Sequence, residues 1–171
     1  MTVGRPPWWM QPGSVEVRAV AAGGWWDAVR VPLNLGIDVL RHLGDETGAV
    51  IRDGGFGGRL YWLVPPGSAA DWNLPQVRVL GRGSHVVIPP LHRVLSPDLC
   101  WQIPPSRDRE WTNTHRLHSA LRTALQAYGS GGGEQEAVLL GVLGVARHLA
   151  APRPATSPAA TGPSEPMPPP G

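Results

Sequence analysis

The sequence predicts an α+β domain, and two observations support that class. Before Pro104 the chain carries short apolar stretches with a two-residue period, interrupted by one stretch with helical spacing. After Pro105 the spacing of apolar residues becomes helical. Strands grouped in one part of a chain and helices in another favour α+β over a regularly alternating α/β fold.

The predicted strands follow one another between residues 14 and 103. Each alternates or is apolar over four to eight residues and ends at glycine or proline, as strands do. Two glycine turns, GGFGG and GRGS, join neighbouring strands and are hairpin signals. The predicted strands are Ser14–Ala21, Asp27–Val31, Ala49–Asp53, Arg59–Val64, Gln76–Leu80, His85–Ile88 and Leu99–Ile103.

Three helices are predicted. The first has an apolar face of leucine and isoleucine at three- and four-residue spacing, and Gly44 is its expected C-terminal stop. Two more, Thr114–Tyr128 and Glu134–Ala150, are separated by the breaker GSGGG. The face of the first helix consists of Leu33, Ile37, Leu40 and Leu43.

The chain divides by composition into three parts. Residues 1–13 are rich in proline and glycine and carry Trp8 and Trp9, which predicts an irregular arm. Residues 14–150 form the domain, including the C-terminal helices. Residues 151–171 are mostly Pro, Ala, Gly, Ser and Thr, so we expect a disordered tail that cannot bury enough apolar surface to order itself.

Composition narrows the function classes. All fifteen basic residues are arginine and the formal net charge is only +2, so charge alone does not predict nucleic-acid binding. The single cysteine excludes an intrachain disulfide. His115 and His118 have a metal-compatible spacing but no third ligand, so we expect no metal and no cofactor. Without a leader or an apolar run of membrane-spanning length, we expect a cytoplasmic protein with no membrane partner.

Three motifs occur in order over about half of the chain. They read DAVRVPLNLGIDVLRHLG, GGFGGRLYWLVPPG and VRVLGRGSHVVIPP. Together they resemble the N-terminal domain of bifunctional DNA primase/polymerases, the prim-pol family, found in replication proteins of plasmids, phages and actinobacteria. The resemblance implies a sheet-and-helix core and a role in DNA replication. The arginine-only basic set is also typical of a GC-rich bacterial genome.

The resemblance places the family's catalytic residues at positions that lack them here. Its pair of acids falls at Val29 and Val31, its histidine at Arg59, and its third acid at Arg78. Valine does not coordinate the metals that nucleotidyl transfer requires, and arginine repels them. A one-residue slip of the first motif brings Ala28 and Arg30 to the acid positions, which is no better.

We therefore expect a catalytically inactive prim-pol-like domain that binds nucleic acid, a nucleotide or a protein. Arg59, Arg78 and Arg82 are the candidate phosphate or nucleic-acid contacts, expected to converge in one cleft. Arg30 is a weaker candidate because it alternates with Val29 and Val31. The alternative is that these arginines are solvated side chains at strand edges that bind no ligand.

Two other functions remain open from the sequence. One is an active nucleotidyltransferase that holds metal with relocated acids at Asp27 and Asp53. The other is a structural scaffold for protein interactions. The eight tryptophans predict mainly core packing, most clearly at Trp62 and Trp101, while exposed ones could stack single-stranded bases.

Overall fold

The structure is a computed structural model that describes residues 7–10 and 13–130. Its elements in chain order are β1 (Arg18–Ala21), β2 (Asp27–Pro32), α1 (Leu33–Leu43), a 3-10 turn (Gly44–Glu46), β3 (Val50–Asp53), β4 (Arg59–Val64), β5 (Arg78–Leu80), β6 (His85–Ile88) and β7 (Leu99–Ile103). A second helix, α2, begins at residue 114 and is described as far as residue 130. This mixed architecture confirms the α+β class. The predicted helix 134–150, the predicted tail 151–171 and residues 1–6 and 11–12 of the predicted arm lie outside the described residues.

Helix α1 has the boundaries that its sequence predicts. Leu35, Val39 and Leu43 recur every four residues and are buried, so one face of the helix packs on the sheet. The predicted face was wrong in part: Ile37 is exposed, and Leu33 and Leu40 are only partly buried. The helix ends at Gly44, whose φ of 52° is costly for other residues and whose N–H donates to the Leu40 carbonyl. None of the helices in the described part is long and apolar enough to cross a membrane.

Strands β3 and β4 form the predicted hairpin. They pair antiparallel with Val50 opposite Trp62 and Asp53 opposite Arg59. The strands belong to a five-stranded sheet with the order β5-β2-β4-β3-β7. Every neighbouring pair in this sheet is antiparallel.

Strands β5 and β6 do not form the second hairpin that the sequence suggested. Strand β5 pairs with β2 in the large sheet, whereas β6 pairs with β1 in a separate two-stranded sheet. The connecting turn is held against the end of β1, because the Ala22 N–H donates to the Ser84 carbonyl at 2.9 Å. A Cβ on Gly23 would lie 2.6 Å from the Arg82 backbone, so this close approach requires glycine.

The large sheet separates two apolar cores. On one face the inward residues of β2 and β4 pack against α1 and α2, and Trp62 is fully buried there. On the other face the two-stranded sheet covers a second core that contains Trp101, also buried. Both tryptophans are therefore core residues, as predicted. The first face carries Val29, Val31, Leu60, Trp62 and Val64. The second carries Trp26, Ala28, Ile51, Leu63 and Trp101.

Candidate functional site

Polar side chains gather where the two-stranded sheet leaves part of the second face uncovered. Side chains alternate between the faces of a strand, so Arg30 lies on the same face as Ala28, and Arg59 and Tyr61 on the same face as Leu63. The register places Arg30 between Tyr61 on β4 and Arg78 on β5. Arg59 lies opposite Asp53 of β3 on that face. Three arginines and one carboxylate therefore share this face of the sheet.

All of these residues that lie on the second face, except Arg59 and the apolar Ala28 and Leu63, line a cleft with a volume of about 270 Å³. Its polar lining consists of Arg30, Asp53, Tyr61, Arg78 and His85, and its remaining lining is apolar. We call this the arginine cleft. Strand β6 supplies His85 and flanks the cleft, so the cleft lies where the two sheets meet.

Positive charge in the arginine cleft is not matched by nearby acids. Within residues 7–10 and 13–130, the ion pairs shorter than 4.0 Å are Arg41–Asp38 and Arg116–Glu46, both outside the cleft. Asp53 instead accepts a hydrogen bond of 3.1 Å from the Gly55 N–H. Like charges directly opposite each other on neighbouring strands destabilise a sheet, so the cleft favours an added anion.

Tyr61 lies among these charges. Burial is the main cause that raises the pKa of its phenol above 10.0, and the charge of Asp53 raises it further. The positive charges of Arg30 and Arg59 oppose this rise. The phenol is therefore protonated near neutral pH, and its O–H adds a donor to the cleft.

The positions to which the resemblance assigns catalytic residues do not share a face. Val29 and Val31 are buried against the helices, whereas Arg59 and Arg78 lie on the opposite face. The register slipped by one residue places Arg30 with those two arginines instead. A strand's two-residue period explains the difference, because one step along β2 changes the face.

Arg82 lies apart from the other predicted contacts. In β5, Arg78 lies opposite Arg30 and Leu80 lies opposite Ala28. The chain therefore runs toward the Asp27 end of β2, and Arg82 lies near that end. There Arg82 lines a different pocket, together with Asp27. The structure thus corrects the expectation that all three arginines converge. Arg59 and Arg78 share a face but occupy strands on either side of β2 and are offset by two residues along it, so their Cα atoms are about 12 Å apart.

The relocated acids do not converge either. Asp27 pairs with Val64 and Asp53 with Arg59, which are about 16 Å apart along β4. Alternation also places the two carboxylates on opposite faces of the sheet. Among the described residues, no three His, Cys, Asp or Glu side chains form a metal-compatible group.

Tyr61 and His85 were not among the residues predicted for this site. The two-residue period from Arg59 is a sequence signal for Tyr61, but His85 reaches the cleft only because β6 joins the second sheet. Comparisons with protein-family models, curated proteins and solved structures gave no match for this chain.

Proposed function

We propose that this protein is a catalytically inactive prim-pol-like module that binds a phosphate-bearing ligand, a nucleotide or single-stranded nucleic acid, in the arginine cleft without metal. The observation that carries the proposal is the cross-strand pair of Arg30 and Arg78, directly opposite each other. Arg59 adds a third positive charge on the same face.

The chemistry of the cleft suits phosphate. Guanidinium groups present planar forks of N–H donors that match phosphate oxygens, and such charge-assisted hydrogen bonds are stronger than neutral ones. Tyr61 adds a protonated phenol, and His85 adds a further polar ring. A bound phosphate would also offset the repulsion between Arg30 and Arg78.

The same arrangement argues against nucleotidyl transfer. That chemistry uses carboxylates to hold the divalent metals that neutralise phosphate charge. Asp53 is the one acid in the lining of the arginine cleft. Arg59 lies directly opposite it, and Arg30 and Arg78 belong to the same lining, so the local charge repels a metal ion. The proposal is therefore a binding role rather than an enzymatic one.

The resemblance to prim-pol domains supports a setting in cytoplasmic DNA replication, where single-stranded DNA is the natural phosphate-bearing partner. Several guanidinium groups spaced along a sheet suit a backbone with repeating phosphates better than a single small anion. A protein partner would have to present acidic side chains to the same arginines. The experiment below distinguishes these ligands.

The test is titration of a fluorescent single-stranded oligonucleotide with the full chain, followed by anisotropy in buffer containing EDTA. We expect binding at low salt that weakens by about 0.7 log units per log unit of salt for each phosphate contact. Arg30→Ala, Arg59→Ala and Arg78→Ala should each weaken binding and lower that slope by about one contact. Arg122→Ala, which removes an exposed arginine on α2, is the matched control and should change neither.

Two outcomes would contradict the proposal. Binding that requires Mg²⁺ or Mn²⁺ and is lost on Asp27→Ala or Asp53→Ala would favour an active enzyme with relocated acids. Failure of nucleotides and of single-stranded DNA to bind at low salt would favour a scaffold for protein interactions.

A further inference from the structure

A second pocket lies at the opposite end of β2 from the arginine cleft. It has a volume of about 490 Å³, and its lining includes Gly23, Asp27, Gly67, Gly81 and Arg82. This size falls in the range of pockets that hold small organic ligands, about 300–1,000 Å³. We call it the Asp27 pocket.

Asp27 is only 3 % exposed, which is unusual for a carboxylate. Its Oδ2 accepts a hydrogen bond of 2.7 Å from the Gly67 N–H. Its Oδ1 is buried and has no hydrogen-bond partner among the described residues. A buried acceptor without a donor lowers the stability of the folded state, so the pocket favours a ligand that donates one N–H or O–H group to Oδ1.

Gly81 places no side chain against this carboxylate. A Cβ at position 81 would lie 3.4 Å from both Asp27 oxygens, and no other heavy atom is closer to that point. The φ of Gly81 is not in the left-handed region, so backbone conformation does not require glycine there. A side chain at position 81 would instead occupy the space beside the buried carboxylate, which belongs to the lining of the pocket.

The surroundings narrow the chemistry of the ligand. Arg82 lines the same pocket but makes no ion pair with Asp27 within the part of the chain that the structure describes. A ligand that carries both an N–H donor and an anionic group would satisfy the two residues together. A divalent cation is a poor fit, since Asp27 is the pocket's one carboxylate and Arg82 repels it.

An adjacent groove adds a preference for flat rings. It shares Gly23 and Arg82 with the Asp27 pocket and also carries Trp8 and Trp25. Their side chains are 69 % and 41 % exposed, and their rings meet edge to face at 5.1 Å. Exposed indoles beside a basic side chain are suited to stacking nucleobases.

We propose that the Asp27 pocket is a nucleobase site, in which Asp27 accepts a hydrogen bond from an exocyclic amino group and Arg82 contacts the phosphate of the same nucleotide. The pocket and the arginine cleft lie at opposite ends of β2, so this site does not depend on the phosphate binding proposed for the cleft.

The test is calorimetric titration of the full chain with the amino-bearing nucleotides AMP, CMP and GMP. The matched probe for AMP is purine riboside 5′-monophosphate, which has the same ring, sugar and phosphate without the amino group. We expect at least one of the three nucleotides to bind in an Asp27-dependent manner. For adenine, loss of the amino group should weaken binding about tenfold to a hundredfold, as for one hydrogen bond to a charged group.

Asp27→Asn tests the role of the orphan oxygen directly. The Gly67 N–H requires an acceptor, so the asparagine carbonyl should take the place of Oδ2 and its NH₂ the place of Oδ1. A donor then faces the amino group of the ligand, and the difference between AMP and its matched probe should disappear. The cleft variant Arg78→Ala should leave that difference unchanged, which separates this site from the arginine cleft.

Gly81→Ala tests access without removing the carboxylate. Its methyl group would stand against both oxygens and should abolish Asp27-dependent binding while the melting temperature stays near that of the wild type. Gly24→Ala is the control, since a Cβ there meets nothing within 4 Å. The proposal is overturned if no amino-bearing nucleotide binds in an Asp27-dependent manner, or if the pocket takes glycine or Mg²⁺ instead.

Discussion

Replacing Arg78 by glutamine should stabilise the protein at low ionic strength. Arg78 is exposed and lies directly opposite Arg30 on the neighbouring strand. Glutamine has a similar reach and can still hydrogen-bond, but it removes the positive charge. The change therefore isolates the like-charge repulsion on which the proposed anion site rests.

The size of the effect follows from the register. The Cβ atoms of a directly opposed pair are about 5 Å apart, and we take about 7 Å as the separation of the two charges at the ends of the longer side chains. At that distance two unit charges repel by about 0.6 kcal/mol in water and by about 2.4 kcal/mol at an effective dielectric constant of 20. Because Arg78 is exposed, we expect a gain of about 0.5–1 kcal/mol, or about 1–4 °C in melting temperature.

Thermal and urea denaturation followed by circular dichroism would measure this gain. It should shrink as salt is added and vanish near 1 M, where the Debye length is about 3 Å. Arg122→Gln on α2 is the control and should leave stability unchanged. A loss of stability on Arg78→Gln at low salt, or a gain that is independent of salt, would refute the reasoning.

Three further predictions concern the core, the cleft and catalysis. The buried Trp62 Nε1–H donates a hydrogen bond of 3.2 Å to Thr47 Oγ1. Thr47→Val removes this acceptor and should lower the free energy of unfolding, measured by urea denaturation, by about 1–3 kcal/mol. Thr47→Ser keeps a hydroxyl and should lower it less. In absorbance titrations Tyr61 should ionise above pH 10, and Asp53→Asn should lower its pKa. Since that pKa is higher in the folded state, the phenol's contribution to stability is complete below pH 10.0 and is lost as pH rises through the folded value. With either Mg²⁺ or Mn²⁺ the protein should not extend a primer, and metal-dependent extension that is lost on Asp27→Ala would contradict this.

The local elements were predictable because their signals are local. Helix α1 is eleven residues long, and its apolar spacing and Gly44 are both visible within that stretch. The β3–β4 hairpin is visible as a glycine turn between two apolar stretches. The partners of β5 and β6 were not predictable in the same way. Their connection looks like a hairpin turn, but the choice of sheet depends on contacts with β1 and β2, which are far away in sequence.

The candidate site was predicted in part. Arg59 and Arg78 do share a face, but the face of β2 that meets them carries Arg30 and not Val29. Alternation along β2 was visible in the sequence, whereas which of its two faces holds the cleft was not, because both faces pack against apolar cores. Arg82 was misplaced for a related reason, since sequence proximity to Arg78 does not reveal the direction in which β5 runs.

The strand order also has a consequence for folding kinetics. Among the described strands, β3 and β4 are the one pair whose partners are close in sequence, while β1 and β6 join residues more than 60 positions apart. Strands that are far apart in sequence pair only after a long loop has closed, and closing a long loop costs conformational entropy. Such pairs therefore form more slowly than local hairpins. The β1–β6 sheet should therefore form late. Because that sheet flanks the arginine cleft, the capacity to bind an anion there should arise only in the final stage of folding.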